Sequence, residues 1–435
     1  MRSNFLQKYL GFTCFGESHG DAVGIVIEDV KPNIEFPYEQ IKEALRKRRP
    51  AHSVYSSSRR ELDEFYVLSG VFEGRTTGMP ICIVVYNTDK RPEDYYALRD
   101  IFRPGHAEYS WYQKFKIYDW RGGGRASGRE TISRVIAGEM LDELIKPMDI
   151  YSYPVRIGSF EIKTINREFM ADNQLKWPDS ENYDALCAYL DSIKSEKDSI
   201  GAIVQCEIKH VRSGLGDPVF EKLEANIAKA VMSIGGVKGI EFGNGFQLAY
   251  MKGSESNDQI SKDGFESNHQ GGISGGVSNS QDILFRVAVK AVPSIGKRQK
   301  TIDIQGNEKE IEIEGRHDVC LIPRILPVIE AMVKLCLADA VAYQNLIEEK
   351  SMNLLDYREA IDKIDEDILI ALYRRMKISE AIGRYKTENH LDVFNSERET
   401  QLFDNLCKKA DMIGLDSLFV KQLWEGIVDE SKKRQ

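Results

Sequence analysis

Leu354-Leu-Asp-Tyr-Arg-Glu-Ala-Ile-Asp-Lys-Ile-Asp365 opens a stretch unlike anything before it in the chain. From Leu354 onward the only glycines are Gly383, Gly414 and Gly426, and proline is missing. Charged residues and helix formers dominate, the composition of an all-helical segment, which Ser351 or Asn353 would cap. Leu354, Ile361, Ile368, Arg375 and Ile382 share one heptad position, and Tyr357, Ile364, Ala371, Ile378 and Tyr385 share the other. This predicts one helix of about 33 residues, roughly 50 Å long. Such a helix cannot bury its stripe against itself, so a partner helix, and with it a second chain, is expected.

Arg375 interrupts that stripe. A buried guanidinium without a partner is costly, so it meets either an internal carboxylate or an anionic ligand. Lys386 lies close to the same face. Arg358 is roughly 25 Å away along the axis and about 100° off. It reaches the same small ligand only from an antiparallel partner chain.

The first 340 or so residues differ: they are rich in glycine and mix β-branched runs with helical stretches. Gly24 to Ile27, Ile81 to Tyr86, Ala202 to Ile208 and Leu284 to Ala291 read as strands. Ile41 to Arg46, Arg129 to Leu144, Phe220 to Ser233 and Arg324 to Tyr343 read as helices. The order does not alternate regularly, which favours α+β over a doubly wound sheet. The expected organisation is an α+β domain over 1–345, a linker over 346–353 and an all-α domain over 354–435.

The 435 residues are 42% hydrophobic, ordinary for a globular protein. A net charge of -9 argues against nucleic acid as a partner, but local basic clusters still suit small anions. No run of 18 apolar residues suggests a membrane span, and the N-terminus lacks the pattern of a signal peptide. Seven scattered cysteines without a C-x-x-C pair fit reduced thiols in the cytoplasm.

Four clusters upstream carry chemistry. Gly16-Glu-Ser-His-Gly20 puts a histidine on tight backbone, suited to proton donation, although a lone loop histidine is more often incidental. Arg46-Lys-Arg-Arg-Pro50, with Arg59-Arg60, reads equally as a solvated basic face or a clamp for phosphate or carboxylate. Phe102-Arg-Pro-Gly-His-Ala-Glu108 precedes Tyr118-Asp-Trp-Arg-Gly-Gly-Gly-Arg-Ala-Ser-Gly-Arg-Glu130. Its glycines and arginines offer N–H groups and positive charge to a phosphate, outside the dinucleotide and P-loop patterns. Ser267-Asn-His-Gln-Gly-Gly-Ile-Ser-Gly-Gly276, Lys290-Ala-Val-Pro-Ser-Ile295 and Gly315-Arg-His-Asp-Val-Cys320 form the fourth group. By residue chemistry alone this is an enzyme for a phosphorylated, anionic small molecule.

In this order, G-E-S-H-G, R-R-P, S-G-V-F-E-G-R-T-T-G, F-R-P-G-H-A, R-G-G-G-R, S-N-H-Q-G-G-I-S-G-G and G-R-H-D resemble chorismate synthase across roughly residues 8 to 340. The resemblance implies a β-α-β sandwich and a reduced FMN cofactor. The implied reaction is a redox-neutral 1,4-elimination of phosphate from 5-enolpyruvylshikimate 3-phosphate. NADPH enters only if the chain reduces its own flavin. By the same resemblance His19 protonates the departing phosphate, His106 acts on the reduced flavin, and Asp318 helps it accept the ring hydrogen. Arg48, Arg49 and Arg129 fall to the substrate clamp. Arg125, Ala126, Ser127, Gly235, Gly236, Gly275, Lys290, Ala291, Val292, Pro293, Ser294 and Arg316 fall to the flavin. Val54, Gly235-Gly236 and Ala126 depart from the common pattern.

Downstream, Leu354 to Asp365, Gly383-Arg-Tyr-Lys386, Ser396-Glu-Arg-Glu399 and Asp429-Glu-Ser-Lys-Lys-Arg-Gln435 resemble the all-helical chorismate mutase. That family is a three-helix, intertwined dimer needing no cofactor, and it rearranges chorismate to prephenate. The match implies Arg375, Lys386 and Gln435 as catalytic, with Arg398, Glu399 and Ser431 binding substrate and Arg358 supplied by the partner. Asn395 departs where some members have aspartate. Both halves together imply a cytoplasmic, homo-oligomeric enzyme, dimer or tetramer, with no nucleic acid or membrane partner and no metal. The rival readings are a synthase carrying a helical dimerisation or effector-sensing module, and a flavin oxidoreductase that consumes nicotinamide.

Overall fold

The computed structural model describes residues 5–6, 9–49, 54–56, 62–313, 318–351, 354–390, 392 and 396–434. The chain divides into two compact units, Met1–Ile347 and Glu348–Gln435.

Two five-stranded antiparallel sheets frame the first unit. One holds β1 (Phe5–Leu6), β2 (Gly11–Gly16), β3 (Ala22–Glu28), β4 (Phe65–Ser69) and, after the small hairpin β5 (Val71–Phe72) and β6 (Arg75–Thr76), β7 (Ile81–Tyr86), in the order β1-β2-β3-β7-β4. The other holds β8 (Asp149–Ile157), β9 (Phe160–Glu161), β10 (Ala202–Lys209), β11 (Val237–Phe242) and, beyond the hairpins β12 (Ile260–Ser261)/β13 (Gly264–Phe265) and β14 (Ile273–Ser274)/β15 (Val277–Ser278), β16 (Ile283–Val289). Its order is β11-β16-β10-β8-β9. A last hairpin, β17 (Gln299–Ile302)/β18 (Glu308–Ile311), stands apart. Alternation sets the faces: Val204, Cys206 and Ile208 of β10 and Ile283, Phe285, Val287 and Val289 of β16 are buried, while their neighbours along each strand are mostly more open.

The same unit contains eight α-helices among the described residues. They are α1 (Tyr38–Arg48), α2 (Glu108–Phe115), α3 (Thr131–Met140), α4 (Arg167–Asp172), α5 (Tyr183–Ser195), α6 (Leu223–Met232), α7 (Gly253–Ser256) and α8 (Ile322–Ser351). Of these, α1, α3 and α8 carry much of the apolar core. Helix α3 packs on α1 and β3. On its other side a Cβ at Gly138 would stand 2.7 Å from Ala331 Cα, so only glycine lets α3 lie this close to α8. Helix α8 in turn meets β8, where Ser152 donates to Glu330. The succession is sheet, helices, sheet around one apolar core, a mixed α/β fold as expected. The helix read over 129–144 is shorter: 3-10 turns at Gly128–Glu130 and Asp142–Ile145 flank α3. Ser127 causes the first, since its hydroxyl accepts from Arg129 N.

The second unit contains α9 (Leu354–Glu388), α10 (Ser396–Ile413) and α11 (Ser417–Lys433). Ser351 closes α8 rather than opening α9, and Asn353 lies outside the described residues. Ile361, Ile364 and Ile368 on the α9 stripe are exposed, at 57%, 57% and 51%. The single chain therefore leaves uncovered the apolar face that the sequence predicts. Among the described residues, no helix is long and apolar enough to cross a membrane.

Candidate active sites

His19 is buried in the turn between β2 and β3. The glycine triplet is laid over it. Ser18 N donates to Gly124 O at 3.2 Å. Arg125 donates from Nη1 to Gly16 O at 3.3 Å and from Nη2 to Cys14 O at 3.0 Å. Gly122 has φ +57°, and a Cβ there would stand 2.2 Å from His19 Cε1. Any side chain would displace either the loop or the ring, which is the physical need for glycine. Tyr95 meets the imidazole edge-on, with centroids 5.2 Å apart. Arg103 lies 5.7 Å from the Tyr95 ring centre and is buried with Glu108, to which its Nε donates at 2.6 Å.

The amphipathic stripe of α1 explains the basic cluster. Ile41, Ala44 and Leu45 face the core, and the next position on that face is Arg48, which follows them into the interior. Arg48 donates from Nε to Thr131 Oγ1 at 3.1 Å and from Nη2 to Gly128 O at 3.0 Å. Three guanidiniums surround the buried Asp63 carboxylate: Arg129 at 3.0 Å, Arg48 at 3.5 Å and Arg49 at 4.0 Å. Burial pushes the Arg48 guanidinium below its ordinary value; Asp63 opposes this, while Arg324 and Arg129 add to it. A guanidinium keeps its charge in a protein, so the strain is electrostatic and an incoming anion would relieve it. Asp318 is joined to this region through Arg324 Nη1, 2.6 Å from its Oδ2. Val319 N also donates to Tyr55 O at 2.8 Å.

His106 sits three residues beyond Arg103 in the same turn, where its backbone N donates to Arg103 O at 3.3 Å. Its Nδ1 is 3.0 Å from Pro104 O. A carbonyl only accepts, so Nδ1 carries the proton and, in the neutral ring, Nε2 is the basic nitrogen. Lys290 Nζ donates to Gly105 O at 2.7 Å, and Lys290 N donates to Gly236 O at 2.9 Å. Val292 O accepts from Ser199 Oγ at 2.6 Å. Burial first, then Lys238, pushes the Lys290 ammonium down. The expected residues thus fall into two neighbouring groups, one around His19, Arg125, Arg48 and Arg129, the other around His106, Gly236 and Lys290–Ser294. Gly275 lies in the β14/β15 hairpin, tied instead to the start of α6 by Leu223 N donating to Gly276 O at 2.8 Å. Arg316 lies outside the described residues, as do Arg59 and Arg60. Sequence reading missed Asp63, Asn87, Tyr95, Arg103, Glu108 and Arg324. Only the run Phe102 to Glu108 gave any signal, and it did so for Arg103 and Glu108.

In the second unit, Arg375 Nη1 donates to Ser431 Oγ and lies 3.4 Å from Ile427 O. These partners are neutral, and burial pushes the guanidinium down. Glu399 pairs with Lys432 Nζ at 2.8 Å, an ion pair that sequence reading missed. Lys386 occupies the last turn of α9 and Arg398 the first turn of α10. Arg358 is exposed near the other end of α9. Gln435 and Asn395 lie outside the described residues.

A sheet–helix–sheet sandwich that gathers Arg48, Arg49 and Arg129 about Asp63, beside a clasped histidine, has the character of an enzyme site suited to small anions. The chain belongs to the chorismate synthase family, whose model matches residues 10–342. A second model, chorismate mutase type II, matches residues 357–435. The chain is 45% identical over 353 residues to a chorismate synthase of Syntrophus aciditrophicus (strain SB), covering 80% of this chain and 99% of that protein. It is 45% identical over 355 residues to a chorismate synthase of Archaeoglobus fulgidus, covering 79% and 98%. A crystal structure of chorismate synthase superposes with a TM-score of 0.61 at 28% identity, over 84% of this chain and 99% of that one. Lyase and isomerase domains thus stand on one chain, both serving aromatic amino acid biosynthesis.

Proposed function

We propose that the first unit converts 5-enolpyruvylshikimate 3-phosphate to chorismate and phosphate with reduced FMN, and that the second rearranges the chorismate to prephenate. The single observation that carries the first step is the positive cluster in which Arg48, Arg49 and Arg129 gather about Asp63. A substrate bearing phosphate and carboxylates would neutralise it.

His19 protonates the leaving phosphate. The glycine loop fixes its ring, so little reorganisation is needed when the proton moves. Reduced FMN, when bound, would supply electron density to the redox-neutral elimination. The residues that would hold it are Arg125 to Ser127, Gly235, Gly236, Lys290 to Ser294 and Arg316. Burial, and then the nearby Lys238, lowers the preference of Lys290 for its charge, a setting that fits an anionic phosphate tail. His106 acts toward the flavin through Nε2. Asp318, anchored by Arg324, assists removal of the ring hydrogen.

In the second unit, Arg375, Arg398 and Ser431 hold the dicarboxylate compact, and Glu399 binds beside them. Lys386 and Gln435 stabilise negative charge on the ether oxygen. Arg358 enters from a partner chain whose α9 covers the exposed stripe. The chain works in the cytoplasm as a homo-oligomer, with cysteines that are free among the described residues.

The test uses purified protein, anaerobic FMN and dithionite, and 5-enolpyruvylshikimate 3-phosphate, following chorismate and prephenate together. The expected product is prephenate, with Arg375→Ala making chorismate accumulate instead. Accumulation of chorismate by the unmutated chain would make the helical unit a sensor or scaffold. Stoichiometric nicotinamide consumption would point to a flavin oxidoreductase.

A further inference from the structure

The turn that carries His19 is held by a side chain that no motif contains. Asn87 follows β7 directly and is buried. Its Nδ2 donates to Glu17 O and to Gly20 O, both at 2.9 Å, so it spans His19 from either side. Its backbone N donates to Asp21 O at 2.9 Å. Its Oδ1 accepts from Arg129 Nε. These bonds occupy both amide hydrogens and fix the amide orientation. A flip would set Nδ2 against a guanidinium and Oδ1 against two carbonyls. On its far side Arg129 donates to Asp63, the carboxylate that Arg48 also faces. One amide therefore joins the proton-donating turn to the guanidinium cluster.

We propose that Asn87 is a positioning residue for the synthase step, coupling the seating of the substrate's anionic groups on Arg129 and Arg48 to the placement of His19. The proposal rests on the synthase reading above. A shift of Arg129 toward a bound anion is passed through the Asn87 amide to the Glu17 and Gly20 carbonyls. The imidazole then stays aimed at the group that the same cluster grips. An apolar residue here would leave two part-buried carbonyls and one buried guanidinium N–H without this partner.

Two substitutions separate positioning from mere support. Asn87→Asp keeps an acceptor for Arg129 but sets a carboxylate oxygen against two carbonyls. Asn87→Ala removes all three bonds without adding charge. Both are assayed on the full chain with reduced FMN for chorismate formation across pH, alongside equilibrium binding of the substrate and thermal unfolding. We expect kcat to fall by about tenfold or more in both variants, with KM held within about threefold because Arg48 and Arg49 remain. The pH limb of kcat assigned to His19 should move upward in Asn87→Asp alone, because a new anion favours the imidazolium. Unchanged kcat and pH profile in both variants would overturn the proposal. So would a parallel fall of kcat, substrate affinity and Tm, the mark of a residue that only supports the fold. An unmutated chain that forms no chorismate sinks the functional reading and this proposal with it. An active unmutated chain beside indifferent variants sinks the proposal alone.

Discussion

Arg48 shows how much one residue's setting says about its use. It is carried inside by the apolar stripe of α1, to where it shares Asp63 with Arg129 and Arg49. Removing one member of a buried ion pair is costly when it strands the other charge, and much less so when that charge keeps another partner. Arg48→Met leaves Asp63 with Arg129, and leaves Gly128 O with the Thr131 hydroxyl at 2.6 Å. The expected outcome is a Tm in the absence of ligand equal to or above that of the unmutated chain. The synthase KM should rise about tenfold or more, as loss of one charged contact implies, and phosphate should no longer raise Tm. A Tm lowered by several degrees with KM unchanged would make Arg48 a structural tie instead. The residue type was legible in R-R-P, but the choice between solvated face and buried clamp was not. That choice depends on Asp63 and Thr131, brought to Arg48 only by packing.

At the scale of elements, α8 carries a buried acid that neither proposed reaction uses. Glu330 accepts from Ser152 N at 3.0 Å and from the Ser152 hydroxyl at 2.6 Å across the α8–β8 contact. Burial raises its pKa, opposed by the Ser152 bond and by Lys334. A carboxyl whose folded value is raised contributes stability below its unfolded value and loses it as pH climbs through the folded value. The unmutated chain should therefore lose more stability between pH 5 and pH 8 than Glu330→Gln, read as urea midpoints by tryptophan fluorescence. Parallel losses would show that Glu330 ionises at no cost. The strands at 81–86 and 202–208 and the long helix from Leu354 were legible because β-branched runs and a heptad stripe are written in consecutive residues. The 3-10 turns flanking α3 were not, since they depend on the Ser127 hydroxyl and on the path of neighbouring chain.

For the whole molecule, the exposed stripe of α9 sets the expectation. An isoleucine that faces water in the working enzyme tolerates a charge with little change in stability. One that faces a partner helix does not. Ile364→Glu should cut the mutase rate by about tenfold or more, with a further fall on dilution, while chorismate formation is retained. An unchanged, concentration-independent mutase rate would remove the partner chain, and Arg358 with it, from the site.

By itself the sequence determined the two-part organisation, the helical character of the second part and the two families that the parts resemble. It did so because composition, periodicity and ordered motifs are properties of adjacent residues. Tertiary structure alone decided which motifs share a site, since His19, Arg48, Arg129 and Asp63 meet only when α1, β2 and the turns around α3 pack together. It alone decided that Gly275 stands with α6, and that Asn87, an ordinary turn residue to the eye, ties His19 to Arg129. Hydrogen bonds across such separations exist only once the chain between them has been folded, and no local pattern encodes them.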